Sequence, residues 1–164
     1  MVLMEMRRAG DNDWERIWPI WHEVVAAGET YPWAQDTPKD QARQLWMLPA
    51  PAEVWVATSG PEIIGTAVLR PNHPGRGSHI ANAGFMVATR ATGQGIGRRM
   101  GEHIMRRARV LGYLGMQFNA VVATNQRSIG LWRSLGFSII GTVPQAFRHP
   151  RHGLVGLHIM YRTL

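Results

Sequence analysis

The chain has 164 residues, enough for one domain with a substantial core, and we treat residues 1–164 as a single domain. It contains no cysteine, which excludes disulfide bonds and thiolate chemistry. No apolar run approaches the length of a membrane span, and the N-terminus lacks the layout of a signal peptide. We therefore expect a cytoplasmic protein without a membrane partner.

The formal net charge of +7 is unevenly distributed. Residues 1–89 carry 7 basic and 10 acidic side chains, whereas residues 90–164 carry 11 arginines and one acid, Glu102. A basic half indicates an anionic partner. Because 17 of the 18 basic residues are arginines dispersed without a Lys/Arg-rich tail, we expect a phosphorylated cofactor and a solvated surface, and no nucleic acid.

Hydrophobic periodicity predicts seven strands and four helices. The first helix carries an apolar stripe from Trp14 to Val25, and Pro19 should kink or restart it. A loop is expected over residues 145–153. In chain order the predicted elements are a strand at 2–8, helices at 14–27 and 38–48, strands at 54–57, 63–69 and 80–87, a helix at 98–111, a strand at 116–122, a helix at 125–135, and strands at 137–143 and 154–161.

The third predicted helix connects strands 80–87 and 116–122, which implies that these two strands are parallel and joined by a right-handed crossover. Strands 54–57 and 63–69 read as an antiparallel hairpin across Ser59-Gly60-Pro61. The predicted fold class is therefore α+β, with a mixed central sheet of about seven strands and about four helices.

A glycine turn stands between strand 80–87 and the basic helix that follows. It reads Gly93-Gln94-Gly95-Ile96-Gly97 and is followed by Arg98 and Arg99. Glycine lets a backbone approach a ligand closely, and the free N–H groups of a helix N-terminus attract anions. The spacing is neither that of a dinucleotide fingerprint nor that of a P-loop, so the turn predicts a different pyrophosphate cradle.

The turn resembles motif A of the GNAT superfamily of acyltransferases, Arg/Gln-x-x-Gly-x-Gly/Ala, which often follows Val-x-Pro. Residues 87–97 match it on the glycines, except that Thr92 stands where Arg or Gln is usual; the alternative register Arg90-x-x-Gly93 also fits. A second family motif, Asn-x-x-Ala-x-x-x-Tyr-x-x-x-Gly-Phe, is similar to residues 125–137. There Trp132 replaces the usual Tyr. A narrower resemblance, to the subgroup of the yeast azetidine-2-carboxylate acetyltransferase, rests on residues 29–32 and 118–122.

This resemblance implies that acetyl-CoA lies in an opening where strands 80–87 and 115–122 splay apart. The backbones of Met86 and Val87 would pair with the pantetheine arm, and their amides are the catalytic candidates for polarising the thioester carbonyl. Asn125 would bind the pantetheine. The implied cofactor-binding residues are Met86, Val87, Thr92, Gly93, Gln94, Gly95, Ile96, Gly97, Arg98, Asn125, Ser128 and Trp132.

The resemblance also implies direct attack of an amine on the thioester, which needs a base for the amine proton. Trp132 is no practical acid at neutral pH, so the acid is unassigned, and Tyr31 could serve only if its loop folds over the site. Two histidines without carboxylate support do not predict a metal site at residues 149–152. The base candidates are Glu29, His22, Glu23, Asp36, His79, His149 and His152.

Two asparagines, Asn82 and Asn119, stand within apolar strands that flank the proposed opening. A buried amide needs a partner, either a substrate group or neighbouring backbone. Asn119 and Glu29 complete the catalytic candidates. The predicted acceptor-binding residues are Glu29, Tyr31, Trp33, Asn82, Asn119 and His149.

The function implied is an acetyl-CoA-dependent N-acetyltransferase that acts on a small amine, such as an amino acid or a proline-like imino acid. Three alternatives stay open: an acetyl-CoA-binding sensor without catalysis, an Arg-mediated nucleic-acid binder, and an enzyme that acetylates proteins. The resemblance also implies a homodimer, since members of the superfamily commonly form dimers.

Overall fold

The computed structural model describes residues 3–164, so Val2 of the first predicted strand lies outside the described residues. The strands are β1 (Glu5–Arg8), β2 (Glu53–Ser59), β3 (Glu62–Pro71), β4 (Ile80–Val87), β5 (Gly115–Val122), β6 (Ser138–His149) and β7 (Gly153–Thr163). The helices are α1 (Trp14–Ala27), α2 (Lys39–Trp46), α3 (Ile96–Val110) and α4 (Gln126–Ser134).

All seven strands form one sheet in the order β1-β2-β3-β4-β5-β7-β6. Every neighbouring pair is antiparallel except β4 and β5, which are parallel and connected through α3. The predicted mixed sheet with four helices is thereby confirmed. Within residues 3–164 no helix is both long and apolar enough to cross a bilayer.

The helices cover both faces of the sheet, as two neighbouring residues of β3 demonstrate. Successive strand residues point to opposite faces. Thr66 accepts a hydrogen bond from the indole of Trp46 in α2, whereas a Cβ added to Gly65 would lie 2.7 Å from Met100 Sδ in α3. Trp132 in α4 packs on the α3 side, because a Cβ on Gly101 would meet its ring at 3.0 Å. We therefore refer to the α1/α2 face and the α3/α4 face.

The parallel pair β4–β5 separates after two residues. Only Ile80 with Gly115 and Ala81 with Met116 are in register, and beyond them β4 and β5 have no ladder partners in each other. One side chain bridges the apex, since Asn82 Nδ2 donates to the carbonyl of Gln117 at 2.9 Å. The two strand ends therefore leave backbone groups without a strand partner along an opening in the middle of the sheet.

Two local predictions differ from the structure. Helix α1 runs without interruption through Pro19, which sits in its second turn, so the alternative of a restart was wrong, while a kink at Pro19 stays a prediction. The loop expected over 145–153 is largely strand, because β6 extends to His149 and a tight turn leads into β7 at Gly153. The register of β6 and β7 shifts between Val143 and Phe147, and this bulge interrupts the alternation from which strands are recognised.

Candidate active site

A cleft of about 800 Å³ lies where β4 and β5 part. Its walls come from both strands, from the glycine turn and α3, from the start of α4, and from the loop after α1. The sequence-predicted residues that line it are Tyr31, Trp33, Asn82, Met86, Val87, Thr92, Gly93, Gly95, Ile96, Gly97, Arg98, Asn119, Asn125, Ser128 and Trp132. Gln94, Glu29 and His149 are not part of the lining.

The glycine turn forms one end of the cleft. Gly93 and Gly95 have φ angles of +80° and +75°, a left-handed conformation that side-chain-bearing residues rarely adopt. Helix α3 begins within this segment, at Ile96 directly after Gly95, so its free N–H groups lie at this end of the cleft. The turn can therefore hold an anion such as a pyrophosphate against the positive end of the helix dipole.

Two arginines flank this turn. Arg98 is paired with Glu102 at 3.1 Å and also donates to the Ser134 hydroxyl at 2.9 Å. Arg127, in the first turn of α4, lines the cleft, and a Cβ on Gly93 would lie 3.7 Å from its Nη2. Within residues 3–164 Arg127 has no carboxylate partner, so its charge is available to a phosphate.

The backbone of β4 presents alternate residues to the opening. Ala88 N donates to Ile64 O of β3, and Ile80 O accepts from the N–H of Asn72, the residue directly after β3, so the even-numbered residues between them form the hydrogen-bonded pairs with β3. The Met86 amide is therefore directed at β3, and its predicted role as a donor to the thioester was wrong. The amides of Phe85 and Val87 point the other way, into the opening.

The hydroxyl of Tyr31 lies against this backbone. It accepts from the N–H of Phe85 and donates to the carbonyl of the same residue, both at 2.9 Å. The loop after α1 therefore folds over the site, as the assignment of Tyr31 required. Burial raises the pKa of Tyr31 far above its usual range, so the hydroxyl is neutral and is a poor proton donor for a leaving group.

Aromatic rings build one wall of the cleft on the α1/α2 face. Tyr31 stacks on Trp33 with 4.9 Å between ring centroids, and Trp46 meets both rings edge-on. Gly84 permits this approach, because an added Cβ would lie 3.2 Å from the Tyr31 hydroxyl and 3.4 Å from Trp46. The wall offers an apolar surface for a small acceptor.

Polar side chains form the opposite wall on the same face. Arg70 Nε donates to Asn82 Oδ1 at 3.3 Å, and Asn82 is fixed by its bond to the Gln117 carbonyl. Asn119 donates to Asn72 Oδ1 at 2.7 Å and accepts from the side chain of Gln117 at 2.9 Å. The sequence predicted a substrate group or neighbouring backbone as the partner of each asparagine. Asn82 bonds to backbone, whereas Asn119 bonds to side chains.

The second motif, residues 125–137, forms the floor of the cleft on the α3/α4 face. Trp132 is buried, with its ring centroid 4.9 Å from that of Phe85 and 4.6 Å from that of Phe118. Asn125 caps α4 by accepting from Ser128 N at 3.2 Å, which uses its side-chain oxygen and leaves the NH2 group able to donate elsewhere. Trp132 thus packs the base of the opening.

Glu29 and His149 belong to a separate contact between the loop after α1 and the β6–β7 turn. Glu29 forms an ion pair with Arg151. His149 is 5% exposed, and its Nδ1 accepts from the backbone N–H groups of Arg151 and His152 at 3.1 and 3.2 Å. His149 therefore shapes this turn, and the structure places neither residue in the cleft lining, so their assignment to the acceptor site stays a prediction without support from these contacts.

Among residues 3–164 the cleft lining contains no carboxylate and no histidine. Glu23 accepts from the N–H of Thr89 at 3.3 Å, and the His22 ring lies 4.9 Å from that of Trp18. The remaining base candidates, Asp36, His79 and His152, are exposed outside the lining. A protein base for the amine is thus absent from the walls, and ionisable side chains there are Tyr31 and arginines.

Sequence reasoning did not single out Phe85, Arg70, Trp46 or Arg127. Arg127 lies two residues after Asn125 within the second motif, and this proximity was an available signal. Phe85 could only be recognised from the pairing pattern, which decides which amides face the opening. Arg70 and Trp46 reach the cleft through tertiary packing.

The model of the acetyltransferase (GNAT) family matches residues 14–137. The chain belongs to this family, and the predicted enzyme class is confirmed at that level. The narrower resemblance to the azetidine-2-carboxylate enzyme stays a prediction, as does a cytoplasmic location.

Three relatives illustrate the likeness. A GCN5-related N-acetyltransferase structure from Kribbella flavida is 46% identical with a TM-score of 0.94, covering 98% of both chains. N-acetyltransferase aca1 of Schizosaccharomyces pombe is 39% identical over 98 residues, which are 59% of this chain and 47% of that protein, so the match spans about half its length. The L-methionine sulfoximine/L-methionine sulfone acetyltransferase of Pseudomonas aeruginosa is 32% identical over 148 residues, covering 85% of this chain and 83% of that protein.

Proposed function

We propose that this protein transfers the acetyl group of acetyl-CoA to the amine of a small molecule, an amino acid or imino acid, by direct attack. The observation that carries the proposal is the parting of β4 and β5, which leaves β4 amides without a strand partner on one edge and a glycine turn suited to an anion at the end of the opening. The Pseudomonas relative is named for two amino-acid substrates, which supports a small acceptor.

The donor fits the cleft by its chemistry. The turn at Gly93 and Gly95, the N-terminus of α3 and Arg127 would hold the pyrophosphate. The amides of Phe85 and Val87 and the side-chain amide of Asn125 would bind the pantetheine arm. Acetyl-CoA would supply an activated thioester, and the Phe85 N–H, once released from the Tyr31 hydroxyl, would stabilise negative charge on its carbonyl oxygen.

The acceptor would approach from the α1/α2 face, between the aromatic wall and the polar wall. Because the lining has no carboxylate or histidine, the amine has to lose its proton to water or enter neutral. The leaving thiolate would take its proton from solvent, since Tyr31 is a weak acid and Trp132 is packed in the floor.

The test is release of free CoA from acetyl-CoA over a panel of amino acids, imino acids and simple amines, including azetidine-2-carboxylate. Calorimetric titration with acetyl-CoA runs beside it. We expect acceptor-dependent release with at least one amino or imino acid. Failure to bind acetyl-CoA would refute the proposal.

One observation favours a second candidate, an acetyl-CoA sensor without catalysis: the lining lacks an ordinary base. Tight acetyl-CoA binding without release from any small acceptor would support the sensor or a protein acceptor. A peptide panel would then separate these two outcomes.

A further inference from the structure

We infer that Arg70 recognises the carboxylate of the acceptor and so restricts this acetyltransferase to amines that carry a negative group close to the nitrogen. The inference rests on the proposed function and names a residue and a substrate class for the acceptor half of the cleft. Arg70 is a cleft-lining residue near the end of β3.

Arg70 is on the face from which the acceptor approaches. It is paired across the strands with Asn82, so both side chains share one face of the sheet. Gly84 lies on the same face of β4, where an added Cβ would meet Tyr31 and Trp46. Two residues of strand rise separate Asn82 from Gly84, about 7 Å. A small acceptor can therefore contact the aromatic wall and Arg70 together.

The side chain of Arg70 is oriented by a chain of hydrogen bonds. The Gln117 carbonyl holds Asn82 Nδ2 at 2.9 Å, and Asn82 Oδ1 accepts from Arg70 Nε at 3.3 Å. The two terminal nitrogens of the guanidinium have no protein partner among residues 3–164. A guanidinium with free terminal nitrogens matches the two oxygens of a carboxylate.

The charges around the acceptor end favour the same reading. Within residues 3–164 Arg70 has no ion-pair partner, and no carboxylate lines the cleft. The other cations of the lining, Arg98 and Arg127, stand at the glycine turn, where the phosphates would bind. A single uncompensated cation at the acceptor end attracts an anionic group and disfavours polyamines, which carry only positive charge.

The experiment compares Arg70→Gln with the unaltered protein on matched acceptors. Each amino or imino acid of the panel, including azetidine-2-carboxylate, is assayed beside its carboxamide. We expect kcat/KM for the acids to fall about 10- to 100-fold in the variant, as for a lost hydrogen bond to a charged group, and kcat/KM for the amides to stay the same. Comparing one substrate between two proteins cancels differences in amine basicity.

Controls separate recognition from folding. Arg109→Gln, on the exposed last turn of α3 and outside the cleft, should change neither acceptor class. Arg70→Lys keeps the charge but loses the planar fork, and we expect it to recover part of the loss. Acetyl-CoA affinity and the unfolding temperature of Arg70→Gln should match those of the unaltered protein.

Equal losses on acid and amide, or no loss on either, would overturn the inference. Should the protein turn over no acceptor, calorimetry in the presence of CoA measures the affinity of the unaltered protein and of Arg70→Gln for the same acids and amides. Acid binding that depends on Arg70 would then support the inference while the proposed catalysis fails. Equal affinity of both proteins for the acids would contradict the inference.

Discussion

The hydroxyl of Tyr31 satisfies both backbone groups of Phe85, accepting from its N–H and donating to its carbonyl at 2.9 Å. Phe85 N–H faces the opening between β4 and β5, where an acetyl carbonyl would need the same donor. Tyr31 and the acetyl group therefore compete for one amide.

This competition predicts the effect of Tyr31→Phe. The variant loses two hydrogen bonds, so the free energy of unfolding without ligand should fall by about 1–2 kcal/mol. Acetyl-CoA should bind more tightly, because the free protein no longer has to release the Phe85 amide. Calorimetry measures both the affinity and the enthalpy. Weaker binding in the variant would mean that the hydroxyl contacts the donor directly.

Glu29 should be dispensable for chemistry. It is paired with Arg151 and lies outside the cleft lining. We expect Glu29→Gln to retain kcat/KM within about 3-fold, whereas loss of a general base costs 10²–10⁴-fold. The rate should rise with pH as the acceptor ammonium group loses its proton, and this rise should move to lower pH when an acceptor with a less basic amine is used. A loss of two orders of magnitude in Glu29→Gln would restore Glu29 as the base.

Trp132 should act through packing alone. Its ring fills the floor between Phe85, Phe118 and Phe137. Trp132→Phe should keep kcat within about 3-fold, because no proton donor of suitable pKa is removed. Its unfolding temperature should fall, since buried area is lost. Trp132→Tyr is the matched variant: a large gain in kcat there would show that protonation of the thiolate limits the reaction.

Arg127 should strengthen the binding of acetyl-CoA without affecting the rate of the chemical step. Its guanidinium stands beside Gly93 without a carboxylate partner among residues 3–164. Arg127→Gln should raise KM for acetyl-CoA about 10-fold or more, as expected for a lost charged hydrogen bond, with kcat unchanged. Acetyl-pantetheine, which lacks the phosphates, should show no such difference between the two proteins. An equal effect on both donors would contradict the phosphate role.

Glu53 should control stability in acid. Its buried carboxylate accepts from Arg107 at 2.7 and 2.9 Å and pairs with Arg8 at 2.9 Å, joining β2 to α3 and β1. The hydrogen bonds from Arg107 lower the pKa of Glu53. A lowered folded-state pKa gives stability that is present above the unfolded pKa, about 4.3, and is lost as pH falls through the folded value.

Glu53→Gln should therefore cost about 1–2 kcal/mol near neutral pH, and the difference from the unaltered protein should shrink in the acid range. Denaturant unfolding over pH measures this. Glu62→Gln is the surface control: its pair with Arg90 is 3.3 Å long between side chains 64% and 60% exposed, and such pairs contribute little. If the difference in free energy of unfolding between Glu53→Gln and the unaltered protein grew as the pH fell, the predicted direction of the pH dependence would be wrong.

Local chemistry in the sequence determined the elements and the donor end of the cleft. The stripe from Trp14 to Val25, the apolar run of β4 and the glycine turn each act over a few residues, so periodicity and turn chemistry revealed them. The crossover between β4 and β5 followed from a helix lying between two strands. The motif around Asn125 followed from its spacing.

The tertiary structure decided everything that depends on which face or which edge a group occupies. Strand register directs the amide of Met86 to β3 and that of Phe85 to the opening, and a register cannot be read from one strand alone. Glu29 lies outside the cleft lining and pairs with Arg151, which is distant in sequence, and His149 accepts hydrogen bonds within its own turn. The role proposed for Arg70 depends on Asn82 and Gln117, residues of two other strands whose hydrogen bonds orient its side chain. Long-range packing and pairing set these relationships, and no local pattern encodes them.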